Sequence, residues 1–291
     1  MEQLAGIDAD PARLREAAYI QNFGLSAGNP YVIHLQSPVS IANYLRIADH
    51  VAARAWREQR LSGRDGTPRV LDWGAGFGQL SYLLGGRGCA VTSFDVGEPG
   101  EFPLPIEPTR TIRRTDHPSR LPYQDDSFDL VVSCGVLEHV EDHDASLAEI
   151  HRVLRPGGLL LIYNLPQRWG YIELIVRAFR LGYTHERRYG MAGTRKLLKR
   201  HGFAMTQARR SNMLPHNFRG LPAPLRARLT AKASALLRFD RALARLPLLN
   251  QLSGILEIEA RRLTTAAAPS APRLTPPVPG PEDTHPERID G

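Results

Sequence analysis

The stretch Val70-Leu71-Asp72-Trp73-Gly74-Ala75-Gly76-Phe77-Gly78-Gln79-Leu80 constrains this chain more than any other. Val70, Leu71 and Trp73 suit a short buried strand, and Gly74, Gly76 and Gly78 break it. Glycine adopts conformations that a side chain forbids and lets a ligand approach the main chain closely. A helix starting near Phe77 would turn unpaired N–H groups toward that ligand. Strand, glycine turn and helix therefore predict the start of an α/β unit with a binding site at the turn. By itself the turn would serve a dinucleotide, a phosphate or a tight packing corner.

Other segments narrow these options. Asp95 closes a second apolar run, Ala90 to Asp95, roughly where an acidic residue meets ribose hydroxyls in nucleotide-binding α/β units. Leu121-Pro122-Tyr123-Gln124-Asp125-Asp126-Ser127-Phe128-Asp129 follows, then Gly135-Val136-Leu137-Glu138-His139-Val140 and Leu154-Arg155-Pro156-Gly157-Gly158. In this order the set resembles the class I S-adenosylmethionine-dependent methyltransferases, in their small-molecule, type 11 branch. The resemblance is close over residues 68–163 and weak onward to about 210. It implies an α/β fold: a Rossmann-like, seven-stranded, mostly parallel sheet with helices on both faces and an antiparallel last strand. A nicotinamide dehydrogenase would share the glycine turn and Asp95, but not the Leu121–Asp129 and Leu154–Gly158 segments.

Three regions are expected: an N-terminal helical cap over 1–67, a methyltransferase domain over 68–262, and a disordered Pro/Ala-rich tail over 263–291. The domain carries insertions at about 164–193 and 209–253. An apolar content of 42% supports a sizeable core without disulfides. Cys89 and Cys134 lie in apolar stretches, and reduced thiols favour a cytoplasmic setting. The N-terminus reads as no signal peptide, and no apolar run is long enough to span a bilayer. Along the chain no spacing of Cys, His and acidic residues marks a metal site, so none is expected.

Within the cap, Pro11 to Ile20 should be a helix with Asp10 as N-cap, and Val39 to Arg60 a second one. Asn22 to Pro38 reads as irregular. Further strands are expected at Thr109–Arg114, Phe128–Ser133, Leu159–Tyr163, Phe203–Ala208 and Gly254–Ala260, with helices at Asp144–Leu154 and Arg195–His201.

The resemblance assigns cofactor contacts residue by residue. Asp72 would approach the methionyl amino group. Gly74 and Gly76 would let the backbone close on the cofactor, and Gly78 would permit tight helix–strand packing. Asp95 would accept from both ribose hydroxyls. Asp116 or His117 would face the adenine, while Ser133 and Cys134 would line the methionyl side. Candidates for removing an acceptor proton are His139 and His185, histidine being suited to that task near neutral pH. Tyr19, Asn22, His34 and Tyr44 are acceptor-pocket candidates.

The formal net charge is +7. Twenty Lys and Arg stand against five Asp and Glu between Arg168 and Arg262. Such a balance fits nucleic acid, anionic lipid or an acidic substrate. Because no RNA-binding module or Asn-Pro-Pro-Tyr-type segment is present, a small-molecule or lipid-like acceptor, methylated at oxygen, is preferred. An RNA or protein methyltransferase, or a non-catalytic scaffold on the same fold, are the alternatives. Leu225, Leu229, Ala233, Leu236 and Leu237 share one helical face among arginines, so peripheral membrane contact through 225–249 is a further expectation.

Overall fold

A computed structural model describes residues 4, 6–27, 30–96, 106, 111–115, 119–180, 184–216 and 222–264. Two cap helices, α1 (Pro11–Ser26) and α2 (Pro38–Leu61), precede the sheet. The alternating unit then runs β1 (Arg69–Trp73), α3 (Gln79–Gly85), β2 (Ala90–Val96), β3 (Ile112–Thr115), β4 (Phe128–Cys134), α4 (His143–Val153) and β5 (Leu154–Pro166). It continues through α5 (Tyr171–Phe179), α6 (Met191–Arg200), β6 (Phe203–Ser211), α7 (Ala223–Thr230), α8 (Ala233–Leu243) and β7 (Ile255–Arg262).

The seven strands form one sheet in the order β3-β2-β1-β4-β5-β7-β6. β1 to β5 pair in parallel, and β7 runs antiparallel to both β5 and β6. This is the fold the resemblance implies. Alternation along β4 sends Leu130 and Val132 to one face and Val131 to the other. The first face packs under α1, α2, α3 and α8, the second under α4 and α6. Register places Trp73, Phe94 and Ser133 side by side, so the carboxyl ends of β1, β2 and β4 make one edge. Open α/β sheets bind ligands at that edge.

Local differences from expectation have physical causes. Asp10 caps α1, its carboxylate accepting from the N–H groups of Ala12 and Arg13, but the helix runs on to Ser26. Gly24 sits inside its last turns, where a Cβ would stand 2.9 Å from the Leu35 backbone. Close helix-to-turn packing thus overrides the glycine signal, and Pro30–Leu35 forms a 3-10 turn rather than irregular chain. β5 begins at Leu154, already paired with Phe128, so the Pro156-Gly157-Gly158 turn is an irregularity within the strand rather than its start. The single helical face expected from Leu225 to Leu237 is split between α7 and α8. Gly6 packs against the chain at the break: its carbonyl accepts from the Ser234 N–H at 3.0 Å, and a Cβ on it would stand 2.1 Å from the Ala231 carbonyl oxygen. Ala233 and Leu237 join the cap core, and Leu225 is exposed. Of the tail expected over 263–291, residues 265–291 lie outside the described residues.

Candidate active site

β1 delivers the chain to the functional edge, where it turns across the end of β2. The N–H groups of Gly74 and Ala75 both donate to the Phe94 carbonyl at 2.9 Å. Gly74 has φ +77°, and a Cβ there would stand 2.3 Å from a Val136 methyl. Gly76 has φ +58°, but nothing lies within 4 Å of where its Cβ would be. Gly74 is therefore required by packing, and Gly76 opens onto unfilled space. Gly78 caps α3 and donates its N–H to the Ala75 carbonyl.

Asp95 closes this space from the β2 side. Its Oδ2 accepts from the Gly76 N–H at 2.5 Å and its Oδ1 from the Val96 N–H at 2.7 Å. Arg114 on β3 donates to the Gly76 carbonyl at 3.1 Å, steadying the same turn. Asp72 is almost fully buried beneath, and its Oδ2 accepts from the Ser81 hydroxyl at 2.6 Å. Ser81 in turn meets the Ser93 hydroxyl at 2.6 Å. Ser133, at the end of β4, has a buried hydroxyl with no partner in the described structure. Cys134 follows it and receives the Asn164 amide at 3.3 Å; burial raises its thiol well above the ordinary value. Asp116 and His117 lie outside the described residues. The remaining cofactor-contact residues expected from sequence thus line one edge. An open glycine turn, a carboxylate at the β2 end and an unpartnered buried hydroxyl fit a ligand bearing ribose hydroxyls and an amino acid moiety.

The segment after β4 makes the second half of the site. Glu138 is buried with Oε2 unpartnered, and burial pushes its carboxyl up to about 7. His139 is half-exposed at its side, and its ring centre lies 6.0 Å from that of His185. Burial and then the charge of His185 hold His139 below the ordinary histidine value. Glu173 on α5 grips His185 twice, accepting its N–H at 2.5 Å and approaching Nδ1 at 3.2 Å. Ligand atoms of Glu138, His139 and His185 all lie within 4.8 Å of one another, a grouping able to hold a metal ion. Spacing along the chain missed it, because the insertion after β5 folds His185 back over residues distant in sequence.

Two further residues, one following the fourth strand and one in the insertion beside His185, meet at this site. His143 Nε2 lies 2.6 Å from the Tyr189 hydroxyl and 3.0 Å from the Leu137 carbonyl. Tyr189 also donates to Leu137 O at 3.0 Å, so the pair braces the short 3-10 turn Leu137–His139. Across the site, the Tyr19 hydroxyl donates to the Ile106 carbonyl at 2.7 Å, and Ile106 donates its N–H to Phe77 O. Tyr44 is buried beside His34, and Gln79 on α3 reaches its hydroxyl at 3.4 Å. The cap thus touches the glycine turn through Tyr19 and Tyr44, whereas Asn22 points to solvent.

A methyltransferase-domain family matches residues 71–162. The chain is 30% identical over 142 residues to a demethylmenaquinone methyltransferase of Streptomyces avermitilis, covering 43% of this chain and 58% of that protein. It is 33% identical over 132 residues to a ubiquinone biosynthesis O-methyltransferase of Paramagnetospirillum magneticum, covering 44% and 52%. The chain therefore spans little more than half the length of these relatives. Among solved structures, an S-adenosylmethionine-dependent methyltransferase of Thermotoga maritima superposes with a TM-score of 0.49 at 13% identity, covering 84% of this chain and 99% of that one. The matched segment takes in the glycine turn, Asp95 and the strands β2 to β4 around them, so residues 71–162 of this chain carry a methyltransferase domain.

Proposed function

We propose that the protein transfers a methyl group from S-adenosylmethionine to a small-molecule or lipid-like acceptor, with oxygen the favoured atom. The observation that carries this reading is the open space over Gly76 beside the Asp95 carboxylate. Asp95 there would accept from the ribose hydroxyls, as a carboxylate does well. Asp72 and Ser133 would bound the methionyl end, and the cap residues Tyr19 and Tyr44 would hold the turn closed. When bound, the cofactor supplies a methyl group already activated by its sulfonium. The chain's own task is then to align an acceptor and take its proton.

His185 is the better placed base. A proton on Nδ1, shared with Glu173 Oε2 at 3.2 Å, makes Nε2 the basic nitrogen and fixes the ring. His139 faces it across the opening and shapes the acceptor space. Relatives named for demethylmenaquinone and for ubiquinone biosynthesis support a quinone-like acceptor. A poorly soluble acceptor of that kind agrees with peripheral membrane contact through 225–249, which belongs to the same reading. No helix among the described residues is long and apolar enough to cross a membrane.

Calorimetric titration with S-adenosylmethionine and S-adenosylhomocysteine, on wild type and Asp95→Ala, tests the cofactor site. Micromolar binding lost in the variant is expected, followed by label transfer from methyl-labelled donor to a hydroxylated quinone acceptor. Folded wild type that binds neither ligand would overturn the reading.

A further inference from the structure

Where β6 and β7 pass beneath α8, the protein forms a part-open cavity of about 440 Å³, lined by Arg209, Arg210, Arg241 and Arg245 together with Asn250 and Glu257. One carboxylate faces four guanidinium groups. That carboxylate is already engaged, because Glu257 receives Arg46 of α2 at 2.5 Å. None of the four lining arginines reaches a carboxylate within salt-bridge distance among the described residues. Arg209 donates to the Gln207 side-chain carbonyl, and the buried Arg210 Nε has no partner. Burial, followed by the charge of Arg46, holds Arg241 below the ordinary arginine value against the opposing pull of Glu257. Four guanidinium groups around a single carboxylate that already serves Arg46 leave the site net positive, which an anion would offset. Guanidinium forks match phosphate oxygens in geometry and charge.

The chain beside this cavity says where the phosphate comes from. Between α8 and β7, Leu246, Leu248, Leu249 and Leu252 are all exposed, on either side of the cavity residue Asn250. Leu248 is 85% exposed and has φ +66°, a left-handed conformation that is costly for a branched side chain. Four exposed leucines do nothing for a water-soluble phosphate. They would enter the apolar layer beneath a lipid headgroup.

We propose that the arginine cavity binds the phosphate of an anionic phospholipid while the Leu246–Leu252 turn inserts beside it. This rests on the membrane-contact part of the function proposed above and gives that contact its residues. It also relocates the apolar element, since α8 turns Ala233 and Leu237 inward and the turn after it faces outward.

The test is co-sedimentation of the full chain with phosphatidylglycerol or phosphatidylcholine vesicles. Wild type should pellet with the former only. Arg241→Gln combined with Arg245→Gln should weaken binding about 30-fold, at roughly fivefold for each arginine near an anionic surface. Leu248→Ser should weaken it about tenfold. The charge-matched pair Lys196→Gln and Lys199→Gln, exposed on α6, should leave it unchanged. S-adenosylhomocysteine titration of each variant reports whether it is folded. Wild type that pellets with neither vesicle overturns membrane contact altogether. Pelleting that the arginine pair does not reduce more than the lysine pair overturns the cavity assignment and leaves membrane contact standing. Glycerol phosphate titrated in the absence of vesicles separates the two phosphate sources: arginine-dependent binding of it, without vesicle binding, overturns the lipid assignment.

Discussion

Arg155 donates through Nε to Asp129 at 2.8 Å, and the two side chains lock the segments on either side of α4 beneath the sheet. The second Asp129 oxygen accepts the Arg69 N–H at 2.8 Å, where β1 starts. Asp129 is buried, and both residues belong to the segments that carry the family resemblance. They hold three neighbouring strands in register at the end opposite the active edge. Asp129→Ala is expected to destabilise the protein by about 3–5 kcal/mol, because it strands a buried guanidinium. Chemical denaturation measures this. Below the transition the variant should still bind S-adenosylhomocysteine with wild-type affinity, and a selective loss of binding without a loss of stability would contradict a structural role.

Gly74 and Gly76 separate packing from binding in the same turn. An alanine at Gly74 must push Val136 aside and adopt φ +77°, so about 2–4 kcal/mol of stability should be lost. An alanine at Gly76 meets no protein atom within 4 Å and suffers only the left-handed backbone, about 1–2 kcal/mol. Its methyl group would occupy the space assigned to cofactor. Gly76→Ala should therefore lose at least tenfold in S-adenosylhomocysteine affinity with a small drop in Tm. Unchanged affinity would move the cofactor away from this turn.

How much of this was legible in the chain depends on the range of the interaction. β1, its glycine turn and Asp95 were readable because apolar runs and glycines act within a few residues. The antiparallel β7 followed from the resemblance and not from periodicity. The break between α7 and α8 was not readable: no glycine or proline marks Ala231-Lys232, and the residue packed against it, Gly6, lies more than two hundred residues earlier. The same limit hid Glu173, the contact of Tyr189 with His143, and the grouping of Glu138 with His139 and His185. Their roles arise where the insertion after β5 returns to the end of β4, and no local spacing encodes that return. Charge counting located the basic region, yet only the sheet and α8 together bring four arginines around one cavity.

Glu138 gives a pH dependence of stability. Its carboxyl is raised to about 7 by burial, so the folded protein holds a proton that the unfolded chain releases near 4.5. The stabilisation is complete below the unfolded value and is lost as pH rises through about 7. Tm should accordingly fall between pH 5 and 8, by an amount equivalent to about 3 kcal/mol if this group acted alone. Glu138→Gln keeps the shape without the charge and should flatten that part of the profile, leaving the variant more stable than wild type at pH 8. An identical slope in both proteins would assign the dependence to other groups.

Glu173 and His185 should behave as one unit in catalysis. His185→Ala removes the proposed base and should lower kcat about 10² to 10⁴-fold with KM and S-adenosylhomocysteine affinity little changed. Glu173→Gln keeps a hydrogen-bonding group near Nδ1 at 3.2 Å but removes the charge that steadies the imidazolium, so about a tenfold loss is expected. Because Glu173 is argued to act only through His185, adding Glu173→Gln to His185→Ala should cost nothing further. Such non-additivity is the signature of a positioning residue, and single-turnover rates on the four proteins of the cycle measure it. Additive losses would give Glu173 a contact of its own with the acceptor. A His185→Ala variant as fast as wild type would remove His185 from the chemistry and leave His139 or His143 to be tested in its place.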